Sequence, residues 1–186
     1  RTLRFVDLSG SELFAADFRR AQMQGANLSA TKMPGANLHE ANLQAANLIG
    51  HGVMIPGTTV LAGSSTTEGT TTTSTTPFGV ELQQAADKVT ATITDATGAV
   101  VRTIDIGKLD AGVHTFTWDG SITDGTKAPN GSYKVAISAS NGSTQLVAQP
   151  LQFALVQGVI KGSDGNNKLD LGTSGTTTLD EVRQII

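Results

Sequence analysis

The 186-residue sequence predicts an all-β protein: a coiled opening segment followed by a small β-sandwich. Three observations predict it. A large apolar residue recurs at every fifth position from Leu3 to Leu48. Further on, short stretches of strict apolar alternation are punctuated by Asp-Gly and Asn-Gly turn signals. Glycine and threonine are abundant, which favours turns and strands over helices.

Composition narrows the function classes. The net charge of −3 is mild, whereas a general nucleic-acid binder is normally basic, so no nucleic-acid partner is expected. No cysteine is present, which excludes disulfides, a thiol nucleophile and a cysteine zinc site. No apolar run approaches the roughly 18 residues needed to span a bilayer, so no membrane segment is expected. The chain has neither an initiator methionine nor a signal-like start. Arg1 is therefore expected to be the edge of a fragment.

The first fifty residues keep the period without a slip through Leu3, Leu8, Leu13, Phe18, Met23, Leu28, Met33, Leu38, Leu43 and Leu48. A small residue stands two places before most of them, as at Ala16, Ala21, Ala26, Thr31 and Ala36. A step of five scatters the leucines around an α-helix, and on a flat strand it flips each one to the opposite face. The chain must turn a corner once per pentad to keep every pair inward, which describes a solenoid. Ala26-Asn27-Leu28, Ala36-Asn37-Leu38, Ala41-Asn42-Leu43 and Ala46-Asn47-Leu48 resemble the pentapeptide-repeat family. That resemblance implies a right-handed quadrilateral β-helix over residues 1–50, with four pentads per coil. So short a stack should need capping at both ends. Some members of the family mimic DNA through an acidic surface and bind topoisomerases. Here Arg1, Arg4, Arg19, Arg20 and Lys32 balance Asp7, Glu12, Asp17 and Glu40, so a spacer or scaffold role is expected instead.

Val53–Gly57 and Thr58–Leu61 read as a strand, a turn and a second strand. Ser64 to Pro77 reads either as a Ser/Thr-rich linker or as an edge strand, and the second is favoured. A hairpin closing near Glu68-Gly69 would pair Thr70–Thr76 with Thr58–Leu61.

The sandwich is predicted over residues 78–143. Phe78, Val80 and Leu82 alternate in its first strand, and Val89, Ala91 and Ile93 in the next. Asp95–Gly98 is a turn, and Ala99–Ile106 is a third strand with no clean face, the mark of a bulge. Val113–Gly120 carries Phe116 and the sole tryptophan, Trp118, on one face, and is taken as the centre of the sandwich. Asp124–Gly131 is a dense loop, and Tyr133, Val135, Ile137 and Ala139 alternate again. Strands at this spacing indicate an immunoglobulin-like or fibronectin-III-like sandwich.

In the closing segment, Asn141-Gly142 is a hairpin turn. Leu151, Phe153 and Leu155 alternate, and Leu169 and Leu171 follow the turn Ser163–Asn167. Thr178 and Glu181 have capping-box spacing, which predicts a short terminal helix with Val182 and Ile185 inward. The segment holds too few strands to stand alone. It is expected to pair with Val53–Thr76, making residues 51–77 plus 144–186 a small barrel that the sandwich interrupts.

Phe78-Gly79-Val80-Glu81-Leu82, Thr94-Asp95-Ala96-Thr97-Gly98, Thr117-Trp118-Asp119-Gly120, Asp124-Gly125 and Pro129-Asn130-Gly131-Ser132-Tyr133 together resemble the flagellar hook-capping family, also called hook assembly scaffold or basal-body rod modification proteins. The resemblance continues through Asn47–Val53 upstream and Phe153–Ile160 downstream, over about residues 47–186. It implies a Tudor-like barrel interrupted by the immunoglobulin-like domain. It further implies export through the flagellar type III apparatus and an oligomeric cap, whose partners are hook subunits and other copies of itself. The location it implies is the bacterial flagellum: the basal body and the distal end of the growing hook, outside the cell. A pentapeptide array stands where that family carries its export and attachment region. The junction fits a natural recombinant, an engineered fusion or a composite sequence, and an engineered or recombinant fusion would lack hook-capping activity.

Residue chemistry adds no catalytic reading. His39, His51 and His114 have no partner at metal-ligand spacing. Asp164–Asp170 only superficially suggests a calcium loop, since its glycine is second rather than sixth and Lys168 occupies a ligand position. Gly172-Thr173-Ser174-Gly175 is one residue too short for a nucleophile elbow. Asp119 and Asp124 both sit in Asp-Gly turns, where aspartate serves the backbone. No catalytic, cofactor-binding or metal-binding residue is assigned, no cofactor or small-molecule substrate is expected, and the chain is read as a non-enzyme. The reading from another class is a carbohydrate-binding module, which would need Trp118 exposed.

Overall fold

The structure, a computed structural model, describes residues 2–23, 25–28, 30–41, 48–67, 70–162 and 167–186. The chain forms two compact units, one of residues 1–56 with 154–186 and one of residues 57–153.

In the first unit, the pentads coil with a step of twenty residues. Parallel bridges join Thr2 to Gln22, Asp7 to Asn27, Glu12 to Lys32 and Asp17 to Asn37, which is four pentads per rung. At each corner the large residue's carbonyl accepts from the N–H three residues on, as from Ala21 to Phe18 at 2.9 Å and from Ala26 to Met23 at 3.1 Å. Such a turn needs positive φ at its third residue. The positions Phe5, Gly10, Ala15, Arg20, Gly25, Ala30, Gly35 and Glu40 supply it, with φ between 52° and 73°. Among the described residues, the corner lets each large pentad residue point inward. Met23, Leu28, Met33, Leu38 and Leu48 are fully buried, as are Ala21, Ala26 and Ala36. The repeat positions Asn42, Leu43, Ala46 and Asn47 lie outside the described residues.

The same core continues into the remainder of that unit: Val53, Ile55, Ala154, Val156, Leu169, Leu171, Val182 and Ile185 pack with the pentad leucines in one cluster. The strands of this unit are β1 (Ala36–Asn37) and β2 (Gly52–Pro56). The second unit supplies β3 (Thr59–Thr67), β4 (Thr70–Thr75), β5 (Phe78–Leu82), β6 (Ala86–Thr94), β7 (Val100–Leu109), β8 (Gly112–Phe116), β9 (Gly131–Asn141), β10 (Thr144–Leu146) and β11 (Ala148–Leu155). The chain leaves that unit near the end of β11, and β12 (Gly158–Lys161), β13 (Asn167–Asp170), β14 (Thr176–Thr177) and β15 (Gln184–Ile185) complete the first. There β15 pairs antiparallel with both β1 and β2, while β12, β13 and β14 form a three-stranded sheet.

The second unit is a two-sheet sandwich. One sheet has the order β4-β3-β9-β6-β7, with β10 added on β9. The other sets β5 between β11 and β8. Val60, Phe78, Ala91, Ile93, Trp118, Tyr133 and Val135 form its main core. Val80, Leu82, Ala86, Val89 and Ala139 form a second cluster. The alternation predicted for β6 and β9 holds, and β7 has the irregular register expected of a bulged strand.

β3 pairs with β9 as well as β4, so the threonine-rich hairpin lies in the second unit. The pentads share the core of the first unit with its C-terminal strands. Three sequence expectations need correction. The tryptophan strand is not central: β8 stops at Phe116 and pairs only with β5, and β9 holds the middle of the larger sheet. Beyond Leu151 the alternation reverses, with Ala154 and Val156 buried and Leu155 exposed, because the chain passes from one core to the other there. The predicted terminal helix is a single 3-10 turn, Leu179–Glu181, without a side-chain cap. Val182 and Ile185 do point inward, on an extended segment that their β-branched side chains favour.

Candidate functional site

The residues weighed for chemistry lie apart, each committed to structure. Trp118 is 2% exposed. Its indole Nε1 donates to the Ser121 carbonyl at 2.9 Å, and its ring meets Tyr133 edge-on with centroids 5.1 Å apart. Tyr133 in turn donates its hydroxyl to the Pro129 carbonyl at 2.8 Å, and the Thr75 hydroxyl donates to the Trp118 carbonyl. Burial pushes the Tyr133 hydroxyl above the ordinary tyrosine range, with the Asp95 charge adding to it. An indole enclosed in this way cannot stack on a sugar ring, so the carbohydrate-binding reading loses its platform.

The histidines serve local bonds. His39 Nε2 lies 3.1 Å from Glu40, His51 Nε2 3.1 Å from the Leu28 carbonyl, and His114 Nε2 2.8 Å from the Asp110 carbonyl. Among the described residues no three His, Asp or Glu side chains gather as a metal site, and no helix is long and apolar enough to cross a membrane. Of the calcium-loop candidate, residues 163–166 lie outside the described residues. Asp170 accepts the Gly172 N–H at 2.9 Å, and Gly172–Ser174 form a 3-10 turn.

The loop aspartates behave as turn formers. Asp119 accepts from the Ser121 backbone N–H at 2.9 Å and hydroxyl at 2.8 Å, bonds that lower its carboxyl pKa, with Lys127 and Arg102 adding attraction. Asp124 is held low by the Thr126 hydroxyl at 2.7 Å and N–H at 2.8 Å. Asp95 is held low by the Thr97 hydroxyl at 2.6 Å, with the Thr97 and Ala99 N–H groups assisting. Carboxylates kept ionised and saturated by local donors are poor general acids or bases near neutral pH.

What the molecule offers instead is surface. The edge strand β12 carries Val159 and Ile160 exposed, and Leu155 and Ile49 are exposed in the same region of sequence pairing, where Gly50 N–H donates to the Val156 carbonyl. In the sandwich, Val147 is 79% exposed between β10 and β11, and Val100 and Leu61 are also exposed. Sequence reading assigned no face to Val159-Ile160. The signal was there: two adjacent apolar residues followed by lysine cannot both face one core on a strand. Also missed were the columns of stacked residues twenty apart, Lys32 on Glu12 at 2.8 Å and Arg20 on Glu40. Opposite charges at the spacing of four pentads would have revealed them.

A family model described as the FlgD Ig-like domain matches residues 64–143, and one described as pentapeptide repeats, in eight copies, matches residues 2–29 and 21–51. The chain is 83% identical over 139 residues to the basal-body rod modification protein FlgD of Escherichia coli (strain K12), covering 75% of this chain and 59% of that protein. It is 78% identical over the same length to the protein of that name from Salmonella typhimurium, with the same coverage. The chain thus spans 59% of the length of these curated relatives. Of solved structures, FlgD from Xanthomonas campestris, described there in terms of hook capping essential for flagellar assembly, matches at 27% identity with a TM-score of 0.57, over 75% of this chain and 94% of that one. FlgD from P. aeruginosa matches at 26% identity with a TM-score of 0.56, over 74% of this chain and 96% of that one. Beyond its pentapeptide repeats, the chain is thus similar over 139 residues to the basal-body rod modification proteins FlgD, and its residues 64–143 match the FlgD Ig-like domain.

Proposed function

We propose that the chain is a structural scaffold of flagellar hook assembly, a hook cap that works by binding other proteins and carries out no catalysis. The observation that carries this reading is the 83% identity over 139 residues to the Escherichia coli basal-body rod modification protein. The saturated loop aspartates and enclosed Trp118 fit such a role, because a cap needs durable surfaces rather than reactive groups. In this reading the partners are hook subunits and further copies of the chain, assembled as an oligomeric cap. The site of action is the distal end of the growing hook, reached by export through the flagellar type III apparatus. The finer fold assigned with it is a right-handed quadrilateral β-helix for the pentads and a Tudor-like barrel for β2 with the C-terminal strands.

The test is complementation of a strain lacking its hook cap, with this chain and with a second version in which the relatives' own N-terminal region replaces the pentads. The expected outcome is hook growth with the second version. The proposal is overturned if neither version supports hooks although both fold and reach the flagellar base.

A further inference from the structure

The coil ladder has a directional rule. Asn27, Lys32 and Asn37 turn both backbone groups toward the first coil: Asn37 donates to the Ala16 carbonyl at 2.9 Å and accepts from the Phe18 N–H at 2.8 Å. In a parallel ladder the flanking residues then face the opposite way. Leu38 therefore looks toward where a third pass of the chain would lie, while the Ala36 N–H is taken up in its own corner by the Met33 carbonyl at 3.1 Å. Twenty residues on, that pass would be residues 56–58, but the chain has already left the coil, since Gly52–Pro56 is β2.

The chain's own C-terminal strand stands in that place. Ala36 pairs with Ile185 and Asn37 with Gln184, and the Leu38 N–H donates to the Arg183 carbonyl at 3.2 Å. The pairing is antiparallel where every coil rung is parallel. On its other edge β15 pairs with β2, with Arg183 N–H donating to the Met54 carbonyl at 2.9 Å and Ile186 N–H to the Gly52 carbonyl at 2.8 Å. Ile185 is fully buried and Val182 nearly so, in the cluster that holds Met33 and Leu38.

We infer that Val182–Ile186 is a latch: a non-pentapeptide strand that completes the open side of the coil and fastens it to β2. This segment is thus the cap that a short pentad stack requires. The slot between β1 and β2 is a strand-acceptor site whose resident occupant is the chain's own tail. Strand addition of this kind draws affinity from main-chain hydrogen bonds and specificity from alternate side chains, supplied here by Ile185.

The test compares the full chain with one ending at Glu181, by amide exchange. Exchange across Ala36–Leu38 and Val53–Met54 should rise at least tenfold in the shortened chain, while β6 and Trp118 fluorescence stay unchanged. A synthetic Val182–Ile186 peptide added in trans should restore protection. Unchanged protection at Ala36–Leu38, or failure of the peptide to restore it, overturns the latch. Should the shortened chain lose all structure, Ile185→Ala in the full chain decides. Selective loss of protection at Ala36–Leu38 and Val53–Met54 supports the latch, and uniform loss or none overturns it.

Discussion

Trp118 shows how a single side chain can be legible in identity and misread in place. As the one indole in a chain with few aromatics, it had to be a core anchor, and it is. Its alternation with Phe116 suggested a continuous strand, yet β8 ends at Phe116, and the Asp119 turn swings the indole inward to Ser121. Backbone hydrogen bonding by a side chain overrode the alternation, and periodicity does not encode that. Trp118→Phe removes the Nε1 bond and part of the ring volume, and should cost about 1–3 kcal/mol in denaturant unfolding followed by circular dichroism. The aspartates Asp95, Asp119 and Asp124 give a second prediction. Their folded pKa values lie below the ordinary range, so they bind protons less readily folded than unfolded. Their stabilisation is therefore complete above the ordinary aspartate pKa of about 3.9 and is lost as pH falls through the depressed folded values. The triple change to Asn keeps the turn-forming carbonyl but not the charge, and should lower stability near pH 7 toward its acid value, flattening the acid limb of the profile in denaturant unfolding followed across pH.

The pentad coil was legible as an element because its period fits neither helix nor strand, and corner geometry alone reconciles it. The corners also allow effects to be ranked. At Gly25, with φ of +68°, an added Cβ would lie 2.6 Å from Phe5 Cδ1. Phe5 is 81% exposed, so its ring can swing into solvent, whereas the backbone angle cannot relax. Gly25→Ala should therefore cost about 1–2 kcal/mol through left-handed strain. Adding Phe5→Ala should rescue little of it, with a double-mutant coupling below about 0.5 kcal/mol. The stacked Lys32–Glu12 pair is exposed on both sides, and Lys32→Ala should cost under about 1 kcal/mol. The C-terminal element was less legible. Thr178 and Glu181 have helix-start spacing, but the Thr177 hydroxyl takes the Glu181 carboxylate instead, and two flanking strands claim Gln184-Ile185. Tertiary pairing overrode a local capping signal, and a single sequence does not show which distant strand offers an edge.

At the scale of the whole molecule, the sequence announced two families in tandem, and the natural inference was a boundary near residue 50. Pentad leucines share one cluster with Val53, Val156, Leu169 and Ile185, while the sandwich keeps its own clusters. Family boundaries follow ancestry and unit boundaries follow burial, so the two need not coincide where a solenoid can extend a neighbouring core. The exposed apolar positions were the least legible part, because a residue such as Val147, in the short connection between β10 and β11, carries no periodic signature. The division of cores makes a sharp prediction, since Trp118 lies in the second unit and reports on it alone. Leu28 is fully buried among the pentads, and Leu28→Ala should remove about 2–5 kcal/mol from the first unit. Separate cores unfold by separate cooperative transitions. The variant should therefore shift an early part of the far-ultraviolet circular dichroism transition to lower denaturant and leave the tryptophan fluorescence midpoint in place. Val53→Ala, on the family's side of the sequence junction, should shift the same early transition. If Val53→Ala instead moved the fluorescence midpoint, or left the Leu28-sensitive transition untouched, the shared core would be refuted and the boundary would return to the junction of the two families.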